Sequence, residues 1–121
     1  MTKPEAKLKL RITFAPDIVL GPGKAQLLAL IRDTGSISAA GRAMGMSYKR
    51  AWMLVEAMNS TFAAPVVSSA RGGAQGGGAH LTEMGDMVLA QLMAFEAKAT
   101  AATTAEVATL QNLLRDTPER K

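Results

Sequence analysis

An α+β fold is predicted for this 121-residue sequence by three observations. The first is a pair of short helical patterns meeting at a tight turn, Met44-Gly45-Met46, inside the stretch Ser36 to Asn59. The second is two short strand patterns, 65–70 and 79–81, bracketing a run from Arg71 to Ala79 in which five of nine residues are glycine. The third is a set of apolar residues at three- and four-residue steps after Thr82, with no Gly or Pro between Asp86 and Thr117. Two short helices, a strand pair around a glycine loop and a long following helix are the parts of a winged helix-turn-helix. The expected organisation is a DNA-binding unit over 1–81, a C-terminal dimerisation helix over 82–116 in the same compact unit, and a tail over 117–121.

The elements are justified in order. Residues 1–6 are polar and expected to be loose. From Lys7 to Phe14 the alternation is strict, with Leu8, Leu10, Ile12 and Phe14 on one side and Lys7, Lys9, Arg11 and Thr13 on the other. Period two with one apolar face predicts a half-buried strand, ended by Ala15-Pro16-Asp17. Its basic face reads as solvated, with phosphate contact as the alternative. Pro22 is pre-set for the first turn of a helix, whose buried stripe is Leu27, Leu28 and Ile31 with Leu20 or Ala25 nearby. Gly35 is the expected left-handed stop.

Ser38 is expected to cap the next helix and Ser47 the one after, each hydroxyl accepting from orphan backbone N–H groups. Ala39, Ala40, Ala43 and Met44 would give the first of these a thin packing face. Ala51, Val55 and Met58 form the buried stripe of the second, flanked by Trp52 and Leu54. Tyr48, Lys49 and Arg50 are left outside, at the end that meets base edges in a helix-turn-helix. Tyr48 and Lys49 are candidates for base or backbone contact, and Arg50 for paired bonds to guanine. Ser36, Ser38 and Ser47 are candidates for phosphate oxygens, with capping as the competing role. Trp52 is expected in the core with its N–H needing a partner. Arg42 reads as a backbone-contacting or solvated residue, and His80 as an ordinary strand residue.

In the glycine run, Gly72, Gly73, Gly76, Gly77 and Gly78 let a wing lie against the duplex, with Arg71 and Gln75 as its polar reach. A disordered linker is one rival. A nucleotide-cradling loop is another, but it would end in Lys-Ser or Lys-Thr, and Gly78-Ala79-His80 does not. Thr82 caps the last helix, with Glu83 and Asp86 suiting its positive end. Val88 or Leu89, Leu92, Phe95 and Ala99, then Val107, Leu110, Leu113 and Leu114, give one long helix, bent or frayed near Thr103. It carries more apolar face than a small domain covers. Val88, Leu92, Phe95, Val107, Leu110 and Leu114 are therefore expected to pair with a symmetry mate, antiparallel or crossed, unless the helix folds back on its own core.

Charge agrees with this placement. The net formal charge is +4, but residues 1–60 carry nine Lys/Arg against four Asp/Glu, whereas residues 61–121 carry five against six. The excess lies in the half of the chain that contains the helix pair, as a polyanion partner would require.

Gly35-Ser36-Ile37-Ser38, then Ser47-Tyr48-Lys49, Ala51-Trp52, Glu56 and Met58-Asn59, closely resemble the DNA-binding domain of ModE-type, molybdate-responsive transcription regulators. Arg71-Gly72-Gly73, Gly76-Gly77-Gly78-Ala79, Leu81-Thr82 and Gly85 match the same family's glycine-rich wing and next helix. The resemblance covers roughly residues 20 to 95, and the Ser-Tyr-Lys-x-Ala-Trp string separates it from LysR-type regulators. It implies a homodimeric regulator on double-stranded DNA. Family members usually continue into small β-domains that bind molybdate. This sequence stops at Lys121, so molybdate sensing is not carried over; the expected alternatives are constitutive regulation, a separate sensor protein, or a ligand, an oxyanion included, bound at the dimer interface.

Other classes are disfavoured. With no Cys and one His there is no nucleophile–base pair and no metal-ligand spacing, so neither an enzyme nor a cofactor is expected. No signal-peptide run and no apolar stretch of spanning length occur, so a cytoplasmic protein without membrane attachment is expected. The alternatives kept open are a non-specific architectural DNA-binding protein and a protein–protein adaptor on the same fold.

Overall fold

The computed structural model describes residues 5–70 and 78–115 of the chain. Within them the architecture is α+β: helices around one core, with two separate two-stranded antiparallel sheets.

The N-terminal strand is shorter than the alternation predicts, and it has a partner that the pattern did not reveal. β1 is Ile12–Ala15 and pairs with β2, Ile18–Leu20, in the register Ile12 to Leu20, with an irregularity between Thr13 and Ala15. Pro16-Asp17 turns the chain back where an end was expected. β2 spans only three residues, so pairing extends no further than Ile12 and Lys7–Arg11 lies outside the sheet. The expected apolar face is also less covered than alternation implies: Phe14 is 64% exposed and Leu10 40%.

α1, Pro22–Thr34, follows expectation at both ends, with Pro22 in the first turn and Gly35 closing it at φ 70. Lys24 Nζ donates to the Val19 carbonyl at 2.7 Å, tying β2 to the helix. Leu27, Leu28 and Ile31 are fully buried. α2 is Ile37–Ala43 and α3 is Tyr48–Thr61. The core joins α1 to Ile37 and Ala40 of α2, to Ala51, Val55 and Met58 of α3, and to Val66, Val67, Leu81 and Leu89.

The packing face of α2 differs from the expected one. Ala43 is exposed, and Gly41 takes the contact instead. A Cβ at Gly41 would stand 2.8 Å from the Ala51 Cβ, so α2 and α3 approach more closely than any side chain there permits.

β3, Val67–Ser69, pairs with β4, Ala79–Leu81, in the register Val67 to Leu81. Asn59, which in the sequence stands only within the family-like string, holds this hairpin to α3. Its Oδ1 accepts from the backbone N–H of Val66 at 2.8 Å and of Val67 at 3.0 Å, and its Nδ2 donates to the Val67 carbonyl at 3.2 Å. On the other strand, the Ala79 N–H donates to the Gly35 carbonyl at 2.9 Å. Asn59→Ala strands two buried amides and is expected to lower stability by about 2 kcal/mol. Hydrogen exchange should show that loss first at Val66 and Val67.

The long helix expected over 82–116, bent or frayed near Thr103, is divided there into two. α4 runs Glu83–Ala102 and α5 Thr104–Leu113, with Thr103 between them at φ −110, ψ 13. The cause is a run of hydroxyls bonding back along the helix. Thr103 Oγ1 donates to the Ala99 carbonyl at 2.9 Å and Thr104 Oγ1 to the Thr100 carbonyl at 3.1 Å, competing with the backbone ladder and bending it. Thr82 caps α4 as expected, its Oγ1 accepting from the Gly85 N–H at 3.0 Å. No helix among the described residues is long and apolar enough to cross a membrane.

Candidate nucleic-acid interface

The N-terminus of α3 is built by a turn and a cap. Gly45, at φ 74, lets the chain reverse after α2, and the Met46 N–H donates to the Gly41 carbonyl at 3.0 Å. Ser47 Oγ then accepts from the Arg50 N–H at 3.1 Å, fixing where α3 starts. With Ala51, Val55 and Met58 buried, the helical period leaves Tyr48, Lys49 and Arg50 facing solvent. Tyr48 is 60% exposed, and its ring meets the Trp52 ring edge-on with centroids 6.1 Å apart. Trp52 itself is half-buried, and its Nε1–H is enclosed with no hydrogen-bond partner.

At the start of α2 the expected cap is displaced by two residues. Ser36, not Ser38, is the cap: its Oγ accepts from the Ala39 N–H at 3.0 Å. Ser36 lies directly beyond the Gly35 stop, so the extended cap conformation falls there and Ser38 is already helical. Ser38 Oγ instead accepts from Arg42 Nη1 at 3.0 Å, one turn along the same face.

These groups converge. An open cleft of about 640 Å³ lies between the start of α2, the side of α3 and the β3–β4 hairpin. Ser36 and Ser38 stand on one wall, Tyr48, Trp52 and Glu56 on a second, and Ser69 and Gly78 on the third. Lys49 and Arg50 follow Tyr48 in the first turn of α3, exposed and outside the lining of the cleft. Glu56 brings a carboxylate into a wall otherwise made of hydroxyls and rings; the sequence reading passed over it as part of a matched string. Asn59 was missed as well, although a polar residue in the last turn of a helix, seven residues before a buried valine, is a visible signal.

The remaining sequence candidates divide. Arg71, Gln75, Gly72, Gly73, Gly76 and Gly77 lie outside the described residues. Gly78 is described, and its carbonyl accepts from the Ala70 N–H at 2.9 Å. Of the residues expected to meet a second copy, Leu92 is covered by its own chain, beside Leu8, Leu10 and Leu20. Val88 and Val107 are half-buried, whereas Phe95, Leu110 and Leu114 are exposed. Arg32, which does not line the cleft, donates to Asp33 at 2.9 Å, and that bond together with the carboxylate's charge raises the pKa of its guanidinium. Among the described residues no cluster of His, Asp and Glu could hold a metal ion.

No protein-family model matches the chain. Over 78 residues, 64% of the chain, it is 54% identical to the molybdenum-pterin-binding protein MopB of Rhodobacter capsulatus. Over 85 residues, 70% of the chain, it is 40% identical to MopA of the same organism and 36% identical to the transcriptional regulator ModE of Yersinia pestis. The matched stretches amount to 29%, 31% and 32% of those proteins, so the chain spans less than a third of the length of these relatives.

Proposed function

We propose, given that this chain belongs to the ModE-type family of molybdenum-responsive regulators over the part of its length that matches, that it is a DNA-binding transcription regulator acting through a winged helix-turn-helix. In this reading α2, the Gly45 turn and α3 are the helix-turn-helix, and the β3–β4 hairpin is the wing. The observation that carries it is the set Tyr48, Lys49 and Arg50, exposed together at the capped end of α3 beside a cleft walled by α2 and the hairpin. Lys49 and Arg50 supply phosphate neutralisation and guanine bonding. Tyr48, held edge-on by Trp52, presents a stiff ring to the groove. Ser47 adds a hydroxyl at the same helix end, and Ser36 and Ser38 reach the backbone from the neighbouring wall. Arg71 and Gln75 would extend the contact along the wing.

Selection from a random duplex library tests this reading. A regulator prefers its site over random duplex by roughly a thousandfold or more. An architectural protein binds without such preference, and an adaptor does not bind duplex.

The proposal includes a homodimer, so the selected site should be a near-palindrome with half-sites about one helical turn apart. Support comes from α5, which has no fully buried residue and leaves Leu110 63% and Leu113 75% exposed. Leu110→Glu with Leu113→Glu is expected to yield a folded monomer by analytical ultracentrifugation. A dimer that persisted would move the contact off α5.

A further inference from the structure

α3 carries one large side chain that neither its core nor its charged end explains. Met53 is 55% exposed and takes no part in the packed core. It follows Lys49 by four residues and Arg50 by three, which on a helix places all three on one face, opposite Ala51, Val55 and Met58. Met53 thus stands one turn beyond the basic pair. A thioether offers no donor for phosphate or for guanine, so it contributes nothing to charge neutralisation there.

The major groove presents one apolar feature along its base edges, the C5-methyl of thymine. Methionine, unbranched and polarizable, adapts to such a contact without needing a fixed approach. Tyr48, the other large apolar surface at this end of α3, sits on the same wall of the cleft as Trp52, against whose ring it packs edge-on. We propose that Met53 is a specificity-determining residue that packs on a thymine methyl group, about one helical turn from the groups met by Lys49 and Arg50. The inference rests on the duplex-binding reading and adds to it a base and a side chain.

The experiment uses the full chain and the duplex that random selection returns. Each thymine is replaced singly by uracil, which removes the methyl and leaves base pairing intact. At one thymine in a half-site, uracil is expected to weaken binding of the unmodified protein about fourfold, the effect of uncovering one methyl group. Met53→Ala is expected to show no loss on that replacement, while keeping its melting temperature. If uracil is harmless at every thymine, or if Met53→Ala loses as much as the parent, the proposal is overturned while duplex binding stands. If selection returns no preferred sequence, the functional reading fails first and this one with it.

Discussion

Gly85→Ala is expected to melt roughly 10–20 °C below the parent protein in a calorimetric scan. The new Cβ would be driven into the Val66 carbonyl oxygen, and the next atoms it meets are the Val66 carbonyl carbon at 3.0 Å and the Leu81 Cβ at 3.3 Å. Neither side can yield easily. The same Val66 carbonyl accepts the Thr82 N–H at 3.0 Å, and Thr82 Oγ1 donates to the Pro65 carbonyl at 2.6 Å, so the start of α4 is fastened to the chain it would have to leave. Overpacking costs about 1–3 kcal/mol, and a backbone obstacle puts this case near the upper end. For a chain of this size each kcal/mol lowers the melting temperature by about 3–6 °C. Gly41→Ala should cost less, because its obstacle is the Ala51 Cβ at 2.8 Å and two helices can slide apart. A Gly85→Ala protein melting within about 3 °C of the parent would mean that α4 is not seated on Val66 as described.

Lys49→Ala combined with Arg50→Ala is expected to weaken duplex binding roughly 60-fold at 0.1 M salt. Each phosphate neutralised contributes about 0.9 to the slope of log affinity against log salt, so the slope should flatten by about 1.8. The variant should stay folded, because both side chains are exposed and the cap to Ser47 uses the Arg50 backbone N–H rather than its guanidinium. Lys98→Ala, on the exposed surface of α4, serves as the control and should leave the slope unchanged. An unchanged slope in the double variant would remove the proposed contact surface from α3.

Much of the scaffold was legible because local chemistry decided it. Pro22 and Gly35 bound α1, Ser47 and Thr82 cap their helices, and the spacing of Ala51, Val55 and Met58 fixed which side of α3 turns inward. What stayed hidden depends on partners distant in sequence, or on competition between equal neighbours. Ser36 and Ser38 carry the same hydroxyl, and only the end of α1 decides between them. β2 was masked because its three residues carry no alternation. The weak point near Thr103 was legible in its threonine-rich run; that it becomes a full break depends on adjacent threonines turning their hydroxyls onto the preceding carbonyls together. Asn59 acts through a strand eight residues away, which helical periodicity does not register. At the candidate site the exposed triad Tyr48-Lys49-Arg50 was readable from the buried stripe alone, whereas the places of Met53 and Glu56 depend on the free face of α3 and on the cleft, which form only in the folded chain.

The Asn59 bonds have a mechanical consequence. The hairpin hangs from the far end of α3 at Val66 and Val67 and from the end of α1 at Ala79, so it has no hinge of its own relative to those helices. Any load that tilts α3 must swing the hairpin with it as one lever. A tug on the hairpin is likewise delivered to Asn59 in the last turn of the helix, eleven residues from Tyr48.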